Sequence, residues 1–209
     1  MANNRQALKV ALVGGGKIAQ YHLSVLADTT AATVVALVDS NPQTLEETAA
    51  RFAIPERYPC HAELLEKNRP DAAFVLVNAQ HMAAVAADFL QAGIPTFLEK
   101  PPGIYTAQTR QLAAIAAQTG TLAMVGVNRR FYSTLIAGRE KLLQLGPVHS
   151  LTVEAHEDIG RLGEDPKFPP EVVRRWSAAN GIHALDTLRF FAGDIARITA
   201  FHRVVEGPM

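Results

Sequence analysis

Short apolar runs alternate with amphipathic segments over the first 126 residues of the chain. The runs lie at 8–13, 33–38, 72–77, 96–99 and 122–126. Because apolar and polar residues do not alternate within them, these runs predict strands that are buried on both faces. The segments between them predict helices at 17–27, from 42 onward, at 81–92 and at 106–119. Strand–helix–strand order implies right-handed parallel crossovers, so we expect an α/β fold with a doubly wound parallel sheet.

Two helices of this half carry local signals. Asn41 is expected to be an N-cap, since Pro42 follows it at the first helical position, where a missing N–H costs nothing. In the helix 17–27, the apolar residues Ile18, Val25 and Leu26 are expected on one face.

The rhythm changes after Gly126, where we place a domain boundary between residues 1–126 and 127–209. The predicted elements are a helix at 133–145, a half-exposed strand at 148–156, a polar loop at 157–175, a helix at 180–192 and a strand at 195–202. We therefore expect the second domain to be α+β, with only two strands and thus an incomplete sheet. Two strands cannot bury their own apolar face or pair their outer edges. We therefore expect a second copy of the chain to cover this domain, which gives a homodimer.

Composition narrows the class of protein. The 209 residues are 48% hydrophobic and 19% charged, and 20 Lys and Arg balance 20 Asp and Glu. This balance is typical of a soluble globular protein and disfavours nucleic acid or a membrane as partner. Cys60 is the single cysteine, so no disulfide forms within the chain. The N-terminal residues lack the apolar core of a signal peptide, and we expect a cytoplasmic protein. We predict no metal site.

The segment ALVGGGKIAQYH at 11–22 carries the first chemical signal. Gly14, Gly16 and Ala19 occupy the small-residue positions of the Gly-x-Gly-x-x-Gly/Ala motif, between a strand and a helix. The free N–H groups at the helix start, from Lys17 and Ile18, would face a pyrophosphate. A glycine turn without any nucleotide is the alternative.

Asp39 decides in favour of a dinucleotide. It ends the second predicted strand, at the distance where an acid accepts hydrogen bonds from the adenosine ribose. Its carboxylate would repel a 2′-phosphate, and no arginine follows in DSNPQT, so NAD is favoured over NADP. Ser40 could still hydrogen-bond a phosphate, so NADP stays possible.

Two further residues are candidates for proton transfer. Lys100 follows the strand at 96–99, and a lysine that is partly desolvated near a nicotinamide can exchange a hydroxyl proton. His183 and Asp186 lie three apart on one helical face, which suggests a proton carrier and its partner. A surface lysine beside a proline turn, a capping histidine and a solvated aspartate are the alternatives, and spacing alone does not choose.

Taken in order, these residues resemble the Gfo/Idh/MocA oxidoreductases. The resemblance runs from about residue 8 to about residue 202. It rests on the glycine turn, Asp39, Asn78 with His81, Glu99-Lys100-Pro101, NRRF at 128–131 and GIHALD at 181–186. It implies a Rossmann domain followed by a domain with a large antiparallel sheet, and NAD(P)-dependent hydride transfer at a carbinol carbon, commonly of a sugar or cyclitol.

The resemblance also assigns residues. Lys100 matches the lysine that contacts the reacting hydroxyl, and His183 matches the active-site histidine. The implied cofactor positions are Gly14, Gly16, Asp39, Asn78, His81, Glu99, Lys100 and Pro101. For a polyhydroxy substrate, the candidate contacts are Lys100, Arg129, His156, Trp176 and His183, of which each polar residue could equally belong to a solvated face.

Two departures keep other functions open. Ala179 stands where many members carry an aspartate that completes a Lys-Asp-His set, and members are longer than this chain. The first hypothesis is an NAD-dependent oxidoreductase of a sugar- or polyol-like alcohol. The second is a catalytically weak, dinucleotide-binding sensor or subunit. The third is an inactive fragment of a longer enzyme.

Overall fold

A computed structural model describes residues 6–201 and divides into two compact units, one up to Gly126 and one from Val127. The first unit contains one parallel sheet with the strands β1 Leu8–Val13, β2 Ala32–Val38, β3 Glu56–Tyr58, β4 Ala72–Val75, β5 Thr96–Leu98 and β6 Ala123–Val125. Their order in the sheet is β3-β2-β1-β4-β5-β6. Its helices are α1 Lys17–Ala27, α2 Pro42–Arg51, α3 His61–Lys67, α4 Ala79–Gln91 and α5 Thr106–Thr119. The predicted doubly wound Rossmann sheet is confirmed.

The sheet is buried on both faces because its strands present apolar side chains in both directions. Val10 and Leu12 of β1 pack with residues of α1 and α2, whereas Ala11 and Val13 belong to a second cluster that includes α4 and α5. Strand order reverses beside β1, between β2 and β4, and such a switch point opens a crevice at the carboxyl ends of the strands.

The predicted face of α1 is wrong in part. Ala19 and Leu23 are its buried residues, and Leu26 packs against the same cluster. Ile18 and Val25 point outward and are 47% and 70% exposed. Ala19 and Leu23 are one turn apart, and the small side chain at Ala19 lets the helix approach the sheet closely.

The structure adds two short elements that the pattern did not predict, β3 and α3. β3 is an edge strand of three residues with little apolar surface, and Tyr58 is its one buried residue. The Tyr58 hydroxyl and the Asn68 amide donate to the Glu56 carboxylate, which lowers the pKa of Glu56; the same contact raises the pKa of Tyr58. These bonds tie the edge strand to the residue that follows α3.

The second unit is helical within residues 127–201. Its elements are a 3₁₀ helix Asn128–Phe131, then α6 Ser133–Leu145, α7 Ile159–Gly163, α8 Pro170–Val173, α9 Trp176–Ala179 and α10 Ile182–Ala192. The helix expected at 180–192 is present as α10, and Asn180-Gly181 separates it from the short helix α9, which was not predicted. A Cβ on Gly181 would lie 2.6 Å from the Ser177 carbonyl oxygen, so this close approach of α9 to α10 requires glycine.

The two strands predicted in this unit are wrong. Residues 148–156 and 195–201 have no regular secondary structure, and His202 lies outside the described residues. A half-exposed strand needs a hydrogen-bonded neighbour, and residues 127–201 contain no strand. The predicted loop at 157–175 instead contains α7 and α8, and the Asp158 side chain caps the first of them by accepting the Arg161 N–H.

No helix among residues 6–201 is long and apolar enough to cross a membrane.

Candidate functional site

A cleft of about 510 Å³ opens in the first unit at the carboxyl ends of β1, β2 and β4. Six of the predicted cofactor residues line it, namely Gly14, Gly16, Asp39, Ser40, Asn78 and His81. The structure thus gathers residues that are up to 67 positions apart in sequence, as expected where the strand order reverses.

Gly14 makes the turn that follows β1. Its φ is 100°, a left-handed conformation that favours glycine, and a Cβ there would lie 2.7 Å from the Leu76 carbonyl oxygen. Its N–H donates to the Val38 carbonyl at 2.8 Å, which fixes the turn against the end of β2. The position therefore tolerates no side chain.

Gly16, unlike Gly14, has free space where a side chain would be. A Cβ built on it has no heavy atom within 4 Å, so the missing side chain leaves open space in the cleft. Gly16 is also the N-cap of α1, which has no side-chain cap and no acidic residue in its first turn. An open backbone at a helix N-terminus suits a pyrophosphate, so the residues present fit a dinucleotide.

Asp39 is fixed by two backbone hydrogen bonds. Its Oδ2 accepts the Gly15 N–H at 2.7 Å and its Oδ1 accepts the Asn41 N–H at 2.8 Å. An ionised carboxylate has about four lone-pair sites. Two sites therefore stay available for ribose hydroxyls on the side that lines the cleft.

The glycine turn has a support that the sequence reasoning missed. The Gly15 carbonyl accepts from the buried Thr48 hydroxyl at 3.1 Å and from the Gln20 amide at 3.3 Å. Gln20 also donates to Thr48 at 2.8 Å, and Arg51 donates to Gln20 at 3.0 Å. The available signal was Thr48 itself, a polar residue on the α2 face that carries Leu45 and Ala49.

One wall of the cleft was also missed. Thr44 of α2 and the β3–α3 loop residues Pro59 and Cys60, with His61 at the start of α3, line the cleft near Asp39. His61 Nε2 lies 2.8 Å from the Asp88 carboxylate, which orients the ring. Pro59, Cys60 and His61 could not be assigned because β3 and α3 were not predicted.

Five predicted cofactor residues do not line this cleft: Lys17, Ile18, Glu99, Lys100 and Pro101. Lys17 and Ile18 are exposed residues of the first turn of α1. Lys100 is half-buried after β5, Pro101 is buried, and the peptide bond between them is cis.

In the second unit, His183 of α10 is buried at 6% exposure, and Asp186 of the same helix pairs with an arginine. Arg130 donates to both carboxylate oxygens of Asp186, from Nε at 2.9 Å and from Nη2. This bidentate contact raises the pKa of Arg130 and ties the 3₁₀ helix to α10. The arginine contact spans 56 positions and was not predicted, whereas the suggestion that Asp186 is the partner of His183 stays a prediction.

The remaining substrate candidates, Arg129, His156 and Trp176, lie apart from the groove that the described residues of this unit form. Arg129 is exposed, and the His156 ring, 89% exposed, lies 3.4 Å from Glu154. Trp176 packs edge-on against Phe168 with ring centroids 5.0 Å apart. None of the three lines the groove between residues 148–151, the end of α10 and residues 193–199.

A parallel sheet in this order, a glycine turn leading into α1 and a carboxylate at the end of β2 define a Rossmann-type dinucleotide-binding domain. The chain belongs to the Gfo/Idh/MocA family, described as an oxidoreductase family with an NAD-binding Rossmann fold, whose pattern matches residues 8–127.

The chain is also similar to individual dehydrogenases and oxidoreductases. The chain is 31% identical to mouse trans-1,2-dihydrobenzene-1,2-diol dehydrogenase over 84% of its length and 51% of that protein. It is 26% identical to inositol 2-dehydrogenase of Rhizobium meliloti, over 90% of the chain and 56% of that protein. An Agrobacterium radiobacter oxidoreductase, solved with NAD+, L-tartaric acid and magnesium, superposes with a TM-score of 0.74 at 22% identity and shares the fold over 90% of the chain and 56% of its own. The chain spans about half the length of the curated relatives it matches.

Proposed function

We propose that this protein is an NAD-dependent oxidoreductase that transfers a hydride between the cofactor and a sugar- or polyol-like alcohol. The observation that carries the proposal is the cleft in which the open backbone at Gly16 faces the same space as the Asp39 carboxylate. The names of the relatives, a dihydrodiol dehydrogenase and an inositol dehydrogenase, support a substrate with neighbouring hydroxyl groups.

The roles of the chain's own residues follow from this proposal. The glycine turn and the first N–H groups of α1 bind the pyrophosphate, and Asp39 accepts hydrogen bonds from the adenosine ribose. The nicotinamide, when bound, supplies the hydride acceptor. Lys100 takes the proton that leaves the substrate hydroxyl, and the buried imidazole of His183 is a second proton-carrying group. Pro101 stiffens the backbone next to Lys100.

The test of this function is a binding titration followed by an activity panel. NADH fluorescence should report saturable binding, and NAD+ reduction at 340 nm should appear with at least one inositol, aldose, polyol or dihydrodiol. Absence of NADH binding would overturn the proposal.

A second candidate function is supported by Ala179, which is 4% exposed and stands where the resemblance expects an aspartate. The methyl side chain of alanine has no ionisable group and cannot take part in proton transfer. The protein would then bind the dinucleotide as a sensor or subunit. In that case NADH should bind, and no substrate of the panel should be turned over.

Cofactor choice should depend on Asp39. NADH is expected to bind more tightly than NADPH, because the carboxylate repels a 2′-phosphate. Asp39→Ala should weaken NADH binding about tenfold, as expected for a charged hydrogen-bonding partner, and narrow the gap between the two cofactors. Competitive titrations of both cofactors measure this. Asp71→Ala is the control, since Asp71 also accepts a backbone N–H, from Lys9, away from the cleft. Equal affinities in the unsubstituted protein would contradict the prediction.

We also propose that the second unit self-associates, as a homodimer. Leu145, Ile198 and Phe201 are 77%, 71% and 95% exposed, and residues 148–151 and 193–199 border an apolar groove without pairing as strands. A second copy would cover this surface and supply backbone partners. Light scattering should give twice the chain mass of 22.6 kDa. A monodisperse monomer across the micromolar range would contradict it.

A further inference from the structure

The carboxylate of Glu99 forms a hydrogen bond with His22 of α1. His22 Nε2 lies 3.2 Å from Oε1 of Glu99, and Oε2 accepts the backbone N–H of Lys100 at 3.0 Å. Since a carboxylate only accepts, the His22 Nε2 carries the hydrogen in this contact. Both oxygens are thus engaged, one by a side chain of α1 and one by the backbone of Lys100, two residues after the end of β5.

The His22 ring is fixed by an aromatic layer. It meets Phe97 edge-on at a centroid distance of 5.3 Å and Phe74 at 5.9 Å, and the two phenyl rings lie 5.1 Å apart. A Cβ on Gly126 would lie 2.8 Å from Phe97 and 3.4 Å from Glu99 Oε1, so this glycine leaves room for the contact. The pair is only partly exposed, His22 at 26% and Glu99 at 20%, which protects its hydrogen bond from competing water.

We propose that His22 is a positioning residue for Lys100 and acts through Glu99. The proposal rests on the proposed role of Lys100 in proton transfer. An apolar side chain would pack against Phe74 and Phe97 equally well, but it could not hold Glu99 in the orientation that receives the Lys100 N–H. Because His22 lies on the helix that begins at the glycine turn, α1 fixes both the pyrophosphate site and the backbone of Lys100.

The test compares three variants of the full chain. His22→Leu keeps apolar volume and removes the donor, and His22→Gln restores an N–H donor. Tyr21→Gln is the matched control, a neighbour on α1 that is 61% exposed and outside the contact. Amide hydrogen exchange at Lys100, measured by NMR without cofactor, needs no turnover. Thermal unfolding, NADH affinity, kcat and KM are measured on the same samples.

We expect His22→Leu to speed exchange of the Lys100 amide about tenfold, the scale of one lost hydrogen bond to a charged group, while the amides of α1 keep their rates. Its kcat should fall about tenfold or more with KM and NADH affinity unchanged, because small displacements of a reacting group cost rate. His22→Gln should recover most of both effects, and Tyr21→Gln should show neither.

Unchanged exchange at Lys100 in His22→Leu would overturn the proposal, and so would a loss that His22→Gln does not recover. If the unsubstituted protein showed no turnover on the substrate panel, the proposed function would fail, whereas the exchange experiment would still decide whether His22 and Glu99 hold the Lys100 backbone.

Discussion

Turnover should fall a hundredfold or more in Lys100→Met, while NADH binding survives. Methionine keeps the length and bulk of the side chain and removes the amine, so the variant loses proton transfer and little packing. A hundredfold loss of rate is the lower end of what general acid–base catalysis usually contributes. Lys100 is half-buried and does not line the cleft that holds the glycine turn, which is why cofactor affinity should persist.

Initial rates with the best substrate of the panel, together with NADH fluorescence titrations, measure both effects. Lys141→Met is the control, since Lys141 is an exposed lysine of α6. Turnover equal to that of the unsubstituted protein would show that Lys100 does not carry the proton. A parallel loss of NADH affinity would show that the lysine acts in cofactor binding instead.

Sequence patterns predicted the first unit well because its signals are local. The helices α1 and α5 have the expected bounds, and Asn41 caps α2 by accepting the N–H groups of Gln43 and Thr44. The glycine turn and Asp39 were recognisable since each follows an apolar strand at a fixed spacing. Their joint position in one cleft follows from the parallel order of β1 and β2.

Tertiary contacts explain what the sequence could not predict. Asp186 and Arg130 are 56 positions apart, so their pairing is invisible to helical spacing, which suggested His183 as the partner. The contact of His22 with Glu99 spans 77 positions. Residues 148–156 alternate like a strand, but alternation states only which side chains would share a face; a strand also needs a neighbour to pair with.

The glycine turn gives the sharpest structural prediction, because its two key glycines should fail in different ways. Gly14→Ala puts a Cβ 2.7 Å from the Leu76 carbonyl oxygen at a φ of 100°. Backbone strain and overpacking together should lower the free energy of unfolding by about 2–4 kcal/mol. The loss should appear in thermal unfolding of the protein without cofactor.

Gly16→Ala should lower that stability by about 1 kcal/mol at most, since Gly16 has a φ of −70° and no heavy atom near its built Cβ, and alanine differs from glycine here only as a poorer N-cap. The new methyl group would instead occupy the space where the pyrophosphate must approach the backbone, so NADH affinity should fall about tenfold or more. Thermal unfolding and NADH titration of both variants separate the two effects. If Gly16→Ala bound NADH as tightly as the unsubstituted protein, the open space at Gly16 would not be the pyrophosphate site, and the dinucleotide would have to bind elsewhere in the cleft.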